Sequence, residues 1–177
     1  MKLTQTERWI LSNQLSLLAK LDPALKDHYE ESRNIIDNGY EGLYNHCIKH
    51  LCPEGETISE DVSNKVFDIL NMFRNITNSI RKLEDTTGLD VEELRFHGFD
   101  GNEESDYLVF AEFFCTEFEG GRYPEVVEYL DSFNTHYPIL DSYNRMLEVW
   151  KTCNNKFHLT QEELLEIQEA AIHPSTK

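Results

Sequence analysis

The stretch His46-Cys47-Ile48-Lys49-His50-Leu51-Cys52 holds the densest set of metal-ligand chemistry in the chain. On a helix, His46 and His50 stand four residues apart on one face, and such an imidazole pair can ligate zinc, with Cys52 close behind. A structural zinc site draws its other ligands from a second close-spaced pair, whereas Cys115, Cys153 and His158 are scattered singly. The reading is therefore a polar helix face with one or two buried thiols; neither a metal nor a cofactor is expected.

Carboxylates give a second chemistry. All-α nucleotide pyrophosphohydrolases hold magnesium with Glu-Glu-x-x-Glu on one helix and a later Glu-x-x-Asp on another. Glu162-Glu163-x-x-Glu166 and Glu128-x-x-Asp131 match those patterns in reversed order, and spacings of three and four put the carboxylates on one helical face. This is the alternative reading: a metal-dependent hydrolase of a nucleotide or phosphate ester. Against it, Glu162 and Glu163 already have a role at a helix start, and 33 acidic residues make chance matches frequent.

Asp100-Gly101-Asn102-Glu103-Glu104 opens like a calcium loop, but its sixth position is Ser105 rather than the glycine that turn needs. It reads better as a turn running into a helix N-terminus, where acidic groups suit the dipole. Glu-x-x-His, His-Glu-x-x-His, the phosphate-binding P-loop, Gly-x-Ser-x-Gly and paired Cys-x-x-Cys are all absent. The remaining candidates for binding are Arg95, His97, Asp100 and Asn102, polar residues in the one irregular stretch of the chain. The competing account is structural, with Gly98 and Gly101 serving backbone geometry and Asp100 or Asn102 a cap.

The elements that would carry these residues are helical throughout. Thr4-Gln5-Thr6-Glu7 is a capping box before the stripe Ile10, Leu11, Leu15, Leu17, Leu18 and Leu21. Asp22-Pro23 ends that helix and caps the next, which stops at Asn38-Gly39. A short helix is expected over Tyr40–Cys52, broken by Pro53 and Gly55. Thr57-Ile58-Ser59-Glu60 reads as a second capping box, opening one long central helix from Val62 to Leu83. Helix resumes at about Asn102 with the aromatic face Phe110, Phe114 and Phe118, for which core packing is expected, with some aromatics at a subunit interface. Tyr123-Pro124, Tyr137-Pro138 and the capping box Thr160-Gln161-Glu162-Glu163 start three more helices. No pair of alternating strands with a hairpin turn occurs. The expected fold is all-α, a single compact domain over residues 1–177 with about seven to nine helices, any subdivision falling near 85–102.

Composition limits the partners. The 177 residues include 33 Asp and Glu against 16 Lys and Arg, a formal charge of −17. Phosphate backbones are bound by clustered cations, and no such cluster exists, so neither nucleic acid nor an anionic membrane surface is an expected partner. No apolar run is long enough for a signal peptide or a membrane span. Cytoplasmic localisation is expected, with Cys47, Cys52, Cys115 and Cys153 as free thiols.

Several segments together resemble the YfbU family of bacterial proteins: Arg8-Trp9-Ile10-Leu11-Ser12-Asn13-Gln14, Leu21-Asp22-Pro23, Ile35-Ile36-Asp37-Asn38-Gly39-Tyr40, Phe96-His97-Gly98-Phe99-Asp100-Gly101-Asn102, Gly121-Arg122-Tyr123, Tyr143-Asn144-Arg145-Met146-Leu147 and Phe157-His158-Leu159-Thr160. They run in order through nearly the whole chain. The resemblance implies an all-α, self-associating cytoplasmic protein and assigns no reaction; the His46–Cys52 cluster lies outside it. The expectation is a non-enzymatic interaction or regulatory protein, a homo-oligomer that also has room for a protein partner.

Overall fold

Thr4 Oγ1 accepts the N–H of Glu7 at 3.2 Å while the Glu7 carboxylate accepts the N–H of Thr4 at 2.7 Å, so the first expected capping box closes as a reciprocal pair. It starts α1 (Gln5–Leu21). Asp22 then accepts from Ala24 N–H at 3.1 Å, and a single 3-10 turn leads into α2 (Lys26–Asn38). Gly39, left-handed at φ 69°, ends α2 with its N–H and that of Tyr40 returned to the last turn.

In this computed structural model, which describes residues 1–172, the chain is all-α. Eight α-helices and three 3-10 turns occur among the described residues, with no strand and one isolated bridge between Phe99 and Asn134. No described helix is long and apolar enough to cross a membrane. All four cysteines are free thiols. The described residues pack as two compact units, the first ending at Thr57 and the second starting at Ile58.

The first unit is a helical hairpin. Ile35 and Ile36 of α2 pack with Tyr44, and Leu3, Leu11, Leu15 and Cys47 close around them. The expected helix over Tyr40–Cys52 is cut short. A 3-10 turn at Glu41–Leu43 precedes α3 (Tyr44–Cys47), and turns follow to Leu51. No side chain caps α3, so nothing local extends it against the nearby Pro53 and Gly55.

The second unit is built on α4 (Glu60–Ile80). Its N-cap is Ser59, two residues beyond the Thr57 expected, because Ser59 Oγ accepts the N–H of Val62 at 3.2 Å. Val66, Ile69, Leu70, Met72, Phe73 and Ile76 are fully buried on one stripe, each worth about 1.5–3 kcal/mol against exposure. Around it stand α5 (Ser105–Thr116), α6 (Pro124–Val127), α7 (Leu140–Thr152) and α8 (Gln161–Ala171). The Thr160–Glu163 capping box starts α8 as expected. At its far end Arg145 donates to the carbonyls of Ala170 and Ala171, at 2.9 and 2.7 Å, satisfying acceptors the helix leaves open. Of the expected aromatic face, Phe110 and Phe114 pack edge-on against Phe67, whereas Phe118 falls past the end of α5 in a 3-10 turn and, against the core packing expected, stays exposed, as does Phe113.

Candidate functional site

The irregular stretch after α4 is anchored by two aromatics. Phe96 and Phe99 are buried among Phe73, Tyr143, Tyr107 and Phe133. Placing both rings in one core requires an extended link through His97 and Gly98. That link pairs with a later segment: Phe99 N–H donates to Phe133 O at 2.8 Å, and Thr135 N–H donates to Phe99 O at 3.1 Å. Gly98 sits at φ +96°, and a Cβ there would stand 2.1 Å from Phe133 O. Only glycine fits.

Beyond Phe99 the polar side chains turn inward to the backbone. Asp100 is buried; it accepts from Glu103 N–H at 3.1 Å and from the Asn102 amide at 3.4 Å. Asn134 Oδ1 accepts from Gly101 N–H and His136 N–H, at 3.1 and 2.9 Å. Glu104 is buried as well. One carboxylate oxygen takes the N–H of Asp100 at 3.0 Å; the other takes Ile139 N–H at 2.8 Å and Leu140 N–H at 2.7 Å. Leu140 opens α7, whose own N-cap Ile139 has no side chain to offer, so a distant carboxylate caps that helix. Sequence reading passed over Glu104 because one buried acid looks like any other in an acidic chain. The available signal was the uncapped start of α7.

Arg95 and His97 face the other way. The Arg95 guanidinium pairs with Glu92 and lies over the Tyr129 ring, 4.3 Å from its centre. The His97 backbone N–H donates to the Tyr143 hydroxyl at 3.0 Å. Burial pushes that hydroxyl well above the ordinary tyrosine range, so it stays protonated and fixed. The His97 ring itself makes no hydrogen bond among the described residues. It borders a hollow of about 350 Å³ with Glu93, Tyr137, Ser142 and Met146, and a second of about 210 Å³ with Arg95, Tyr129, Asp131 and Asn134. Of the four candidates, the fold brings Arg95 and His97 to one hollow and uses Asp100 and Asn102 as a turn and cap.

The ligand-rich segments come out differently. His46 ends in the single turn of α3 and His50 lies beyond it, so the shared helical face does not form; both are exposed, as is Cys52. Glu128 pairs with Arg81, Glu163 is held by Thr160, and Asp131, Glu162 and Glu166 are exposed. No group of three or more His, Cys, Asp or Glu placed to hold a metal ion occurs among the described residues. The carboxylate pattern thus has no shared centre through which a hydrolase could work.

The ordered segments quoted from the sequence find their places in these two units: Asn38-Gly39 ends α2, Phe96 to Asn102 forms the clasp, and Arg145 closes α8. The family model described as the YfbU domain matches residues 1–170, and the chain belongs to the YfbU family.

Proposed function

We propose that this protein is a cytoplasmic, non-enzymatic and self-associating protein that works by presenting apolar helical surface to other proteins. One observation carries the reading: large apolar side chains are exposed in number, ten of them within the first unit alone. Where such side chains gather into one patch, the patch marks interaction surface. The polar groups of the Leu94–Glu104 stretch support the same reading, since Asp100 and Glu104 are spent on backbone hydrogen bonds and the Asn102 amide on the Asp100 carboxylate, rather than aimed at a ligand.

The test is sedimentation velocity across a range of concentrations, paired with a stability screen against magnesium, manganese and nucleotides. Self-association with no ligand-induced stabilisation is expected. A monomer at every concentration that is strongly stabilised by a metal–nucleotide pair would overturn the reading.

A further inference from the structure

We infer that the outer face of α1 is where two copies of this chain meet, in an isologous pairing of their α1–α2 hairpins. The inference rests on the self-association reading above and gives it a location. Helix α1 carries large apolar side chains on its outer side as well as its inner one. Leu11 and Leu15 turn inward to the hairpin core, while Trp9, Ile10, Leu17, Leu18 and Leu21 stand in solvent, Trp9 68% and Leu21 79% exposed. Ile10, Leu17 and Leu21 fall within a sector of about 40° at 3.6 residues per turn; Trp9 lies about 80° to one side, past Thr6, Asn13 and Lys20, and Leu18 about 60° to the other, past Gln14 and Glu7. Leu25, just past the helix, is exposed as well.

Area and charge identify the occupant. Covering these six side chains would remove on the order of 600 Å² per copy, near the ~800 Å² per partner of a stable interface once neighbouring polar atoms are added. Two copies of a chain carrying −17 repel each other over most of their surface. Helix α1 carries one acidic residue, Glu7, against Arg8 and Lys20, so it is the stretch along which two copies can approach without that penalty. A strongly basic partner would be drawn to the acidic remainder instead. In an antiparallel pair centred on Gln14, the apolar residues lie on both sides of the two-fold axis, and Gln14 meets its own copy.

The experiment is sedimentation equilibrium on the full chain, wild type beside Leu17→Glu and Leu21→Glu. Far-UV circular dichroism checks that these exposed substitutions leave the helices intact. Wild type is expected at twice its 20.8 kDa mass, and either substitution should raise the dimer dissociation constant on the order of a hundredfold. Phe113→Glu on the exposed face of α5 should leave association unchanged. Gln14→Cys in a Cys52→Ser background should form a disulfide-linked dimer under mild oxidation. Wild-type dimer that ignores both α1 substitutions, or that falls apart with Phe113→Glu instead, overturns the α1 assignment while leaving self-association standing. A monomeric wild type overturns both.

Discussion

The carboxylate of Glu104 accepts the backbone N–H of Leu140 at 2.7 Å, across 36 residues of sequence. Through this bond and its neighbour to Ile139, the start of α5 caps the start of α7. Removing the side chain would leave three N–H groups, the buried one of Asp100 and the partly buried ones of Ile139 and Leu140, without their acceptor. Glu104→Ala should therefore cost about 3–5 kcal/mol. Glu104→Gln retains one oxygen but turns an amide N–H₂ toward a donor, and should lose about half as much. Urea midpoints at an unchanged m-value measure both. Equal stability of the alanine variant and wild type would refute the cap.

Gly98 and Gly120 separate two causes of glycine dependence. Both have positive φ, but a Cβ at Gly98 collides with Phe133 O, whereas nothing lies within 4 Å of one at Gly120. Gly120→Ala should cost only the left-handed strain, about 1–2 kcal/mol. Gly98→Ala must also separate the Phe99–Phe133 hydrogen bond and should exceed about 4 kcal/mol. Thermal unfolding of the two variants ranks them, and a similar loss in both would contradict the close approach.

What was legible in the sequence was local. Thr4 and Thr160 carry their caps within three residues, Gly39 supplies its left-handed stop, and the Val66–Ile76 stripe needs only helical period to be read. The misplaced features depend on distant partners or on competition between neighbours. Ser59 outcompetes Thr57 as cap by geometry alone. The start of α7 is set by Glu104, and His97 is positioned by a hydroxyl 46 residues away. The irregular stretch that carries Arg95, His97, Asp100 and Asn102 is legible in the sequence, and no helix forms between Ile80 and Ser105. That its acids serve the backbone follows only from where Phe133 and Asn134 come to lie.

Alkaline solution should reveal two buried acids. Burial pushes the Cys115 thiol up from its ordinary 9.0 to about 12, and raises the Tyr143 hydroxyl from its ordinary 10.0. Each group holds its proton more tightly folded than unfolded. Stability from Cys115 is thus complete below pH 9 and is lost as pH rises toward about 12, at about 1.4 kcal/mol per pH unit while the unfolded thiol is ionised and the folded one is not. Tyr143 adds a second loss above pH 10. Unfolding free energy measured from pH 7 to 11 should be flat with respect to these groups to about pH 9 and then fall. Cys115→Ala should lessen the decline that begins near pH 9, and Tyr143→Phe the part above pH 10. A decline that neither substitution alters would remove both groups from the account.

Arg95 and His97 offer the sharpest separation of binding from structure, because the fold asks little of their side chains. The His97 ring makes no hydrogen bond among the described residues, so His97→Ala should change stability by less than about 1 kcal/mol, the backbone N–H to Tyr143 being retained. Arg95 has a half-exposed ion pair with Glu92 and a cation–π contact with Tyr129, and Arg95→Ala should cost about 1 kcal/mol. The double variant should therefore remain folded and keep the wild-type sedimentation coefficient. If it also supports wild-type growth and stress survival of the organism that makes it, the hollow they share is packing relief and nothing binds there. A folded, fully associated double variant with a lost cellular phenotype would instead give that hollow a ligand of its own, since neither stability nor assembly could explain the loss.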